Sequence, residues 1–418
     1  MRVPDGVRKS VNVLLCLGAV VAIGWSGRET WQVWDGRRQI DEACAGLVPA
    51  GRVLALSPAG GRITHREADE GVIEIDGGLG AGSAQDCEIF STEAGEKDGE
   101  ETGGRWFFTG AVGVLPADRP VIADGPLEDL VDSFGGPTHP DQPLGGDIAG
   151  WVTESDVVVQ LPCAEGRLNG RQVKALWARA SLQNPGRRFT VGGQLSADDR
   201  DILAETAVIT ANNLADRLGC ADRLPDPPEN VPALPEGPVP AAGAEGTCAW
   251  YGKAGFARRE GFPDQVVESR TDDRLWDQRC GLVLSESRAS ALYLAEGSEH
   301  RVSRPERPGR WFVSLHTYAG EEAKTLLLTS TNPREEPEPA TPGRAGRSAE
   351  DPIWWASSVC DGKPQIHTMT VSLGYHSIMA PRMEQVFRAY VDDVTNRRHC
   401  TDLVFPESVT FRAGEDRP

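Results

Sequence analysis

The sequence predicts an α+β protein: an N-terminal transmembrane helix, then two tandem disulfide-bonded domains, each an antiparallel sheet packed against helices. Three observations predict it. Eight of the nine cysteines lie outside an apolar run near the N-terminus. One order of landmarks occurs twice along the chain. Strand-like runs follow one another through turns, and each series closes with one amphipathic helix, the pattern of strands and helices segregated in α+β folds.

The N-terminus comes first. Arg2, Arg8 and Lys9 precede eighteen uncharged residues, 10–27, the shortest length that crosses ~30 Å of hydrocarbon as a helix. Trp25, Trp31 and Trp34 follow, and indoles favour the membrane interface. Residues 1–9 are then a cytoplasmic tail and 10–27 a signal-anchor. A cleaved signal peptide is the competing reading, with Ala22-Ile23-Gly24 as a small-x-small site. Leu15 stands before Cys16, where a lipidated cysteine needs a small residue. The expected location is the cell membrane, single-pass, with the C-terminal part extracellular, because paired cysteines persist only in an oxidising compartment.

The repeat sets the domains. Cys44 is followed about sixty residues later by Gly104-Arg105-Trp106-Phe107, and Cys248 at almost the same interval by Gly309-Arg310-Trp311-Phe312. A third cysteine precedes a small turn in each copy, Cys163-Ala-Glu-Gly166 and Cys360-Asp-Gly362. Each copy ends in a helix pattern and a cysteine, Cys220 or Cys400. The expected domains are 41–220 and 247–410. Between them, 221–246 carries Pro225, Pro227, Pro228, Pro232, Pro235, Pro238 and Pro240. Proline fixes φ and removes a donor, so this stretch reads as a semi-rigid extended linker. Pro-rich 332–351 and the loop 116–147 read as surface excursions.

The closing helices are the clearest elements. Ser196 can cap the first, with Asp198 and Asp199 in its opening turn. Leu203, Ala207, Thr210, Leu214 and Leu218 form its apolar face. In the second, Pro381 suits the first turn, and Met383, Val386, Phe387, Tyr390 and Val394 make the stripe. Strands are expected over 72–75, 106–115, 156–161, 173–182, 291–295, 311–318, 325–331 and 368–375.

Cys44, Cys87, Cys163, Cys220, Cys248, Cys280, Cys360 and Cys400 show neither Cys-x-x-Cys nor histidine at zinc-finger spacing, so they read as disulfides rather than a metal site. Four per copy allow three connectivities. The expected one joins first to second and third to fourth, stapling each closing helix to its sheet. Each bridge would then close a loop worth about 3–4 kcal/mol by chain entropy.

The opening Cys44-Ala-Gly-Leu-Val-Pro49, just after the apolar run, resembles the Cys-x-Gly-Leu-Leu-Pro opening of uncharacterised actinobacterial envelope proteins. Those proteins often carry a later cysteine before a strand, as in Cys87-Glu-Ile-Phe90. More distantly the layout is similar to actinobacterial lipoprotein domains with a PsbP-like α/β/α sandwich. Cys248-Ala-Trp-Tyr-Gly252 departs from the motif. The resemblance implies location and fold, and brings no catalytic residues.

Charge and motifs narrow the chemistry. A net charge of −19 opposes nucleic acid and anionic membrane surfaces. Basic residues are overwhelmingly arginine, with lysine only at Lys9, Lys97, Lys174, Lys253, Lys324 and Lys363. No Gly-x-Ser-x-Gly elbow, His-Glu-x-x-His or phosphate-binding loop occurs. The glycine-rich 78–83 reads as a hairpin loop. Histidines His65 and His139 fall in loops, while His316, His367 and His376 fall on strand patterns, the last two on opposite faces of one strand. No catalytic, metal-binding or cofactor-binding residue is assigned, and no cofactor is expected. Trp354 and Trp355 are the candidate ligand contacts, as a carbohydrate or ligand platform, against a core role for the same rings.

These features favour a membrane-anchored extracytoplasmic binding or interaction protein, non-enzymatic, with the membrane and an unidentified protein or small molecule as partners. The alternatives are a structural or assembly factor of the cell envelope, and a hydrolase with an unrecognised site.

Overall fold

The computed structural model describes residues 15, 30–66, 72–73, 85–93, 105–116, 121–122, 139–183, 195–297, 299–300, 302–305, 311–320, 322–328, 336–349 and 351–412. The expected membrane segment 10–27, apart from Leu15, the hairpin loop 78–83 and most of the strand 72–75 lie outside them. Among the described residues no helix is long and apolar enough to cross a membrane.

Helix α1 covers 30–43 and leads into the short α2, Ala50–Val53. Strands β1 (Ile63–His65), β2 (Gln85–Ser91) and β3 (Arg105–Pro116) follow. After β4 (Val121–Ile122) come β5 (Gln142–Gly145), β6 (Ile148–Val152), β7 (Asp156–Pro162), β8 (Arg167–Leu168) and β9 (Arg171–Leu182). Their sheet runs β1-β2-β3-β9-β7-β6-β5, with β8 paired to β9. All these pairings are antiparallel. Helix α3, Ala197–Leu218, covers one face.

The second half opens with β10 (Val239–Pro240), α4 (Ala249–Lys253), β11 (Gln265–Glu268), β12 (Asp277–Val283), α5 (Glu286–Leu292) and β13 (Phe312–Ala319). It continues through β14 (Leu326–Leu328), β15 (Glu338–Pro339), β16 (Gly346–Arg347), β17 (Ile353–Cys360), β18 (Lys363–Val371), α6 (Leu373–Arg397) and β19 (Thr401–Val404). The sheet order is β10-β11-β12-β13-β18-β17-β16, with β19 paired to β17. The sense β2-β3-β9-β7 in the first sheet corresponds to β12-β13-β18-β17 in the second. A small third sheet joins β14 to β15 and, in parallel, to β4 of the first half.

The disulfides pair first with second and third with fourth: Cys44–Cys87, Cys163–Cys220, Cys248–Cys280 and Cys360–Cys400. In each half one bridge ties the opening segment to a strand, and the other ties the end of the long helix to the sheet.

Helix α3 begins as its sequence predicts. The Ser196 hydroxyl accepts the Asp199 N–H, and Gly219 ends the helix in the left-handed region at φ 72°, where a Cβ is disfavoured. Leu203, Ala207, Thr210, Leu214 and Leu218 are all buried against the sheet. Helix α6 starts eight residues before Pro381, so that proline sits inside it and not in its first turn. The segment 373–380 lacks an acidic first turn, and the Ser372 hydroxyl accepts the Phe312 N–H instead of capping the helix. Hence the expected strand 368–375 ends at Val371, and His376 belongs to the helix. Tyr375 and Met379, one helical turn apart, are fully buried there. The expected strand 291–295 is helical as well: Ser285 caps α5, and a π-helical turn continues it over Tyr293–Gly297.

The proline stretch 221–246 is docked, not a free spacer. Val231 and Leu234 are buried in the first core. Arg200 of α3 donates to the carbonyls of Val231 and Leu195, at 3.1 and 2.6 Å. Asp201 accepts the Val231 N–H, and Asn212 both donates to and accepts from the Leu224 backbone. Prolines remove donors, and side chains of α3 hold the backbone groups of Leu224 and Val231, while Val239–Pro240 pair with β11.

Each sheet buries its helix-facing side in its own apolar cluster. The opposite sides meet along the β5–β7 edge. Gln142 donates to the Glu268 carbonyl and accepts the Arg270 N–H. The Ser269 hydroxyl donates to the Asp141 carbonyl, and the Arg279 guanidinium lies 5.8 Å from the Trp151 ring centre.

Candidate functional site

Trp354 and Trp355 are packed in the molecule and offer no open platform. Trp354 is fully buried, stacked on Phe411 with ring centres 5.1 Å apart, and its indole donates to the Thr410 carbonyl. Trp355, on the opposite face of β17, is 9% exposed within a small cluster with Tyr318, Leu326 and Ile366. Adjacent residues of a strand point to opposite faces, so two consecutive tryptophans in a sheet covered on both sides are both taken up by packing.

The histidines are more informative. On the face of the second sheet away from α6, His316 Nδ1 lies 3.0 Å from Asp277 and its Nε2 3.0 Å from the Ser314 hydroxyl. Arg279 holds the other Asp277 oxygen at 2.7 Å. The register explains the convergence: Arg279 and His316 are partners across β12 and β13, and Asp277 stands opposite Tyr318. Burial alone would raise the Asp277 pKa, but the neighbouring His316 and Arg279 overcome it and hold the carboxyl at about 2. An ionised carboxylate only accepts, so Nδ1 donates to it. The Ser–His–Asp order of a nucleophilic triad is present, yet Ser314, His316 and Asp277 are 0%, 2% and 4% exposed. The hydroxyls of Ser357, Thr368 and Thr370 lie on the same face, buried, without hydrogen-bond partners among the described residues.

On the helix side, His367 Nδ1 meets the Thr317 hydroxyl and its Nε2 the Ser358 hydroxyl, both at 2.9 Å. Tyr390 of α6 reaches the same Thr317 hydroxyl at 2.7 Å. Burial, with Arg398 nearby, lowers the His367 pKa to about 3, so the ring is a neutral core residue near pH 7.

A groove of about 1140 Å³ lies between the halves. The first half contributes Gln160, Leu161, Lys174 and Ala175, and the proline segment contributes Arg223, Leu224 and Pro225. The second half contributes Asp273, Trp276, Glu322 and Lys324, the turn Asp361–Lys363 with Gln365, and Arg397, Arg398 and His399 at the end of α6. Gln160 and Glu322 hydrogen-bond across it, and Arg274 bridges to Asp147 at 2.6 Å. Asp273 accepts from Arg397 and Arg398 at 3.1 and 3.0 Å. Two buried polar atoms on this lining have no partner among the described residues: Arg398 Nη2 and Gln365 Oε1. Burial lowers the Arg398 pKa, against the raising effect of Asp273. Seven lysines and arginines and five carboxylates line the groove, and Arg223, Arg274 and Arg397 also pair with Asp216, Asp272 and Asp393 beside it.

Sequence reasoning missed the groove because its residues come from both halves and from turns with no periodicity. One signal was available: three of the chain's six lysines, Lys174, Lys324 and Lys363, line it. Among the described residues no group of three histidines, cysteines or carboxylates stands at metal-binding distance. Compared with protein families, curated proteins and solved structures, the chain matches none of them.

Proposed function

We propose that this chain is a membrane-anchored, extracytoplasmic, non-enzymatic binding protein, built of two copies of one domain, that takes its ligand in the groove between them. The observation that carries this reading is the groove itself, with its two unpartnered buried polar atoms. Buried polar groups are normally satisfied, so exceptions on the lining of a concave site with convergent polar groups point to an occupant there. Four disulfides agree with an oxidising compartment. Trp31 and Trp34, 56% and 59% exposed on α1 just after the apolar run, agree with a helix that leaves a membrane interface. The matching strand orders and disulfide pairings support duplication.

The test is the mass of the full chain, drawn gently from its own membrane without reductant or denaturant. A retained N-terminus with an added bound mass is expected, lost when Arg398 and Lys363 are replaced by glutamine. A clipped N-terminus and a bare chain would overturn both the anchor and the binding role.

The Ser314–His316–Asp277 row favours a second reading, a hydrolase. A nucleophile must meet its substrate, and Ser314 is fully enclosed. A fluorophosphonate probe decides between them: labelling of Ser314 supports hydrolysis, and no labelling supports binding alone.

A further inference from the structure

The groove's end beside α6 is specific enough to indicate a ligand class, an inference that rests on the binding role above. Four groups of different chemistry converge there. The Ala319 N–H donates to the Trp276 carbonyl, and Ala319 faces Gln365 across β13 and β18. Lys363, at the start of β18, is exposed in the turn after Cys360, whose bridge to Cys400 brings the turn against Arg397 and Arg398. Arg398 is 8% exposed, with Nε on Asp273 and Nη2 unpartnered. Gln365 is 5% exposed, with its amide oxygen unpartnered. Trp276 is half-buried on the lining.

Each group states a requirement. A guanidinium with a buried, unused N–H fits a carboxylate or phosphate oxygen. An unpaired amide oxygen requires a donor, which an acidic group lacks and a hydroxyl supplies. A partly open indole offers an apolar, electron-rich face to C–H groups. Lys363, exposed in its turn beside Arg397 and Arg398, adds a positive charge that suits an acid group, while the volume of about 1140 Å³ exceeds that of a simple anion. One class of molecule combines acid, hydroxyl donors and an apolar ring face. We infer that the groove binds an acidic saccharide, its acid group at Arg398 with Arg397 and Lys363 close by, a hydroxyl on Gln365, and a sugar ring against Trp276.

The test is calorimetric titration of the full-length chain in detergent with tetragalacturonate, glucose 6-phosphate, neutral maltotetraose and inorganic phosphate. At least one acidic sugar should bind, weakening with added salt, with no heat from maltotetraose. The two acidic sugars separate carboxylate from phosphate recognition. Arg398→Gln should weaken binding by about tenfold or more, the worth of one charge-assisted hydrogen bond. Arg398 is buried, so the exposed Lys363→Gln and the lining Trp276→Ala provide independent variants, each expected to lower affinity several-fold with the fold intact. Equal binding of all four probes, binding of phosphate alone, or acidic-sugar binding untouched by Lys363→Gln and Trp276→Ala would overturn the inference. A neutral or non-sugar occupant found in the native mass measurement would overturn it too while leaving the binding role standing. A bare chain there would remove the role itself.

Discussion

The His316 ring is held 3.0 Å from the Asp277 carboxylate on the one face of the second sheet that looks toward the first half. Arg279 binds the same carboxylate and also Asp141 of the first half, at 2.7 and 3.3 Å. The row therefore links the core of one half to the surface of the other. Asp277→Asn would leave the buried His316 imidazole without its carboxylate acceptor and the partly exposed Arg279 guanidinium with Asp141 alone. Losing a buried hydrogen bond to a charged group costs about 1.5–3 kcal/mol. A urea-unfolding series should show that loss, and an Asp277→Asn midpoint equal to wild type would refute this role. The stabilisation by Asp277 is full above the unfolded carboxyl value of ~3.9 and falls away as pH drops through about 2.

His367 works in the opposite sense to a paired histidine. Its folded pKa is depressed to about 3, and that of His376 to about 4, both chiefly by burial. The unfolded chain binds these protons near pH 6.5, so stability should fall as pH drops below that value, reaching its limit near the folded values. The slope for one such group approaches about 1.4 kcal/mol per pH unit. His367→Gln should flatten the pH dependence of thermal unfolding between pH 6 and 4. A profile unchanged by the substitution would show that the ring is protonated in the fold.

How much of this was legible follows from the kind of signal each feature has. The face of α3 and the Ser196 cap were readable because capping and 3.6-residue spacing are local. The start of α6 was not. Thr368, Thr370 and the residues after Val371 continue a β-like pattern, and only the packing of Tyr375 and Met379 makes 373–380 helical. Trp354 and Trp355 stand out in sequence, but exposure is decided by what covers each sheet face, which no local pattern records. The groove depends on Arg398, Gln365 and Lys174 meeting across distant segments, and one sequence carries no record of such pairings.

Thr370 presents a hydroxyl at 2% exposure with no partner, opposite Ile353 and Ser314. Valine matches its shape and removes the unmet polar atom. Leaving a buried hydroxyl unsatisfied costs about 1–3 kcal/mol, so Thr370→Val should raise stability by about 1 kcal/mol, with a higher melting temperature. A lower one would mean that the hydroxyl is hydrated in solution and belongs to a polar layer between the sheets.

Arg200 decides whether the proline segment moves with the first half. The residue is 8% exposed, and its guanidinium holds the carbonyls of Val231 and Leu195. Seven prolines remove N–H groups from this stretch, and side chains of α3 reach its backbone at Leu224 and Val231. Arg200→Ala removes one of those contacts together with the bond to Leu195 and leaves two carbonyls short of a donor, at about 1–3 kcal/mol each where water cannot enter. Hydrogen exchange at Val231 and Leu234 should then accelerate well beyond that at Leu203 and Leu214 in the buried face of α3. Equal acceleration at both places would mean that Arg200 supports the whole first core and not the docking of the linker.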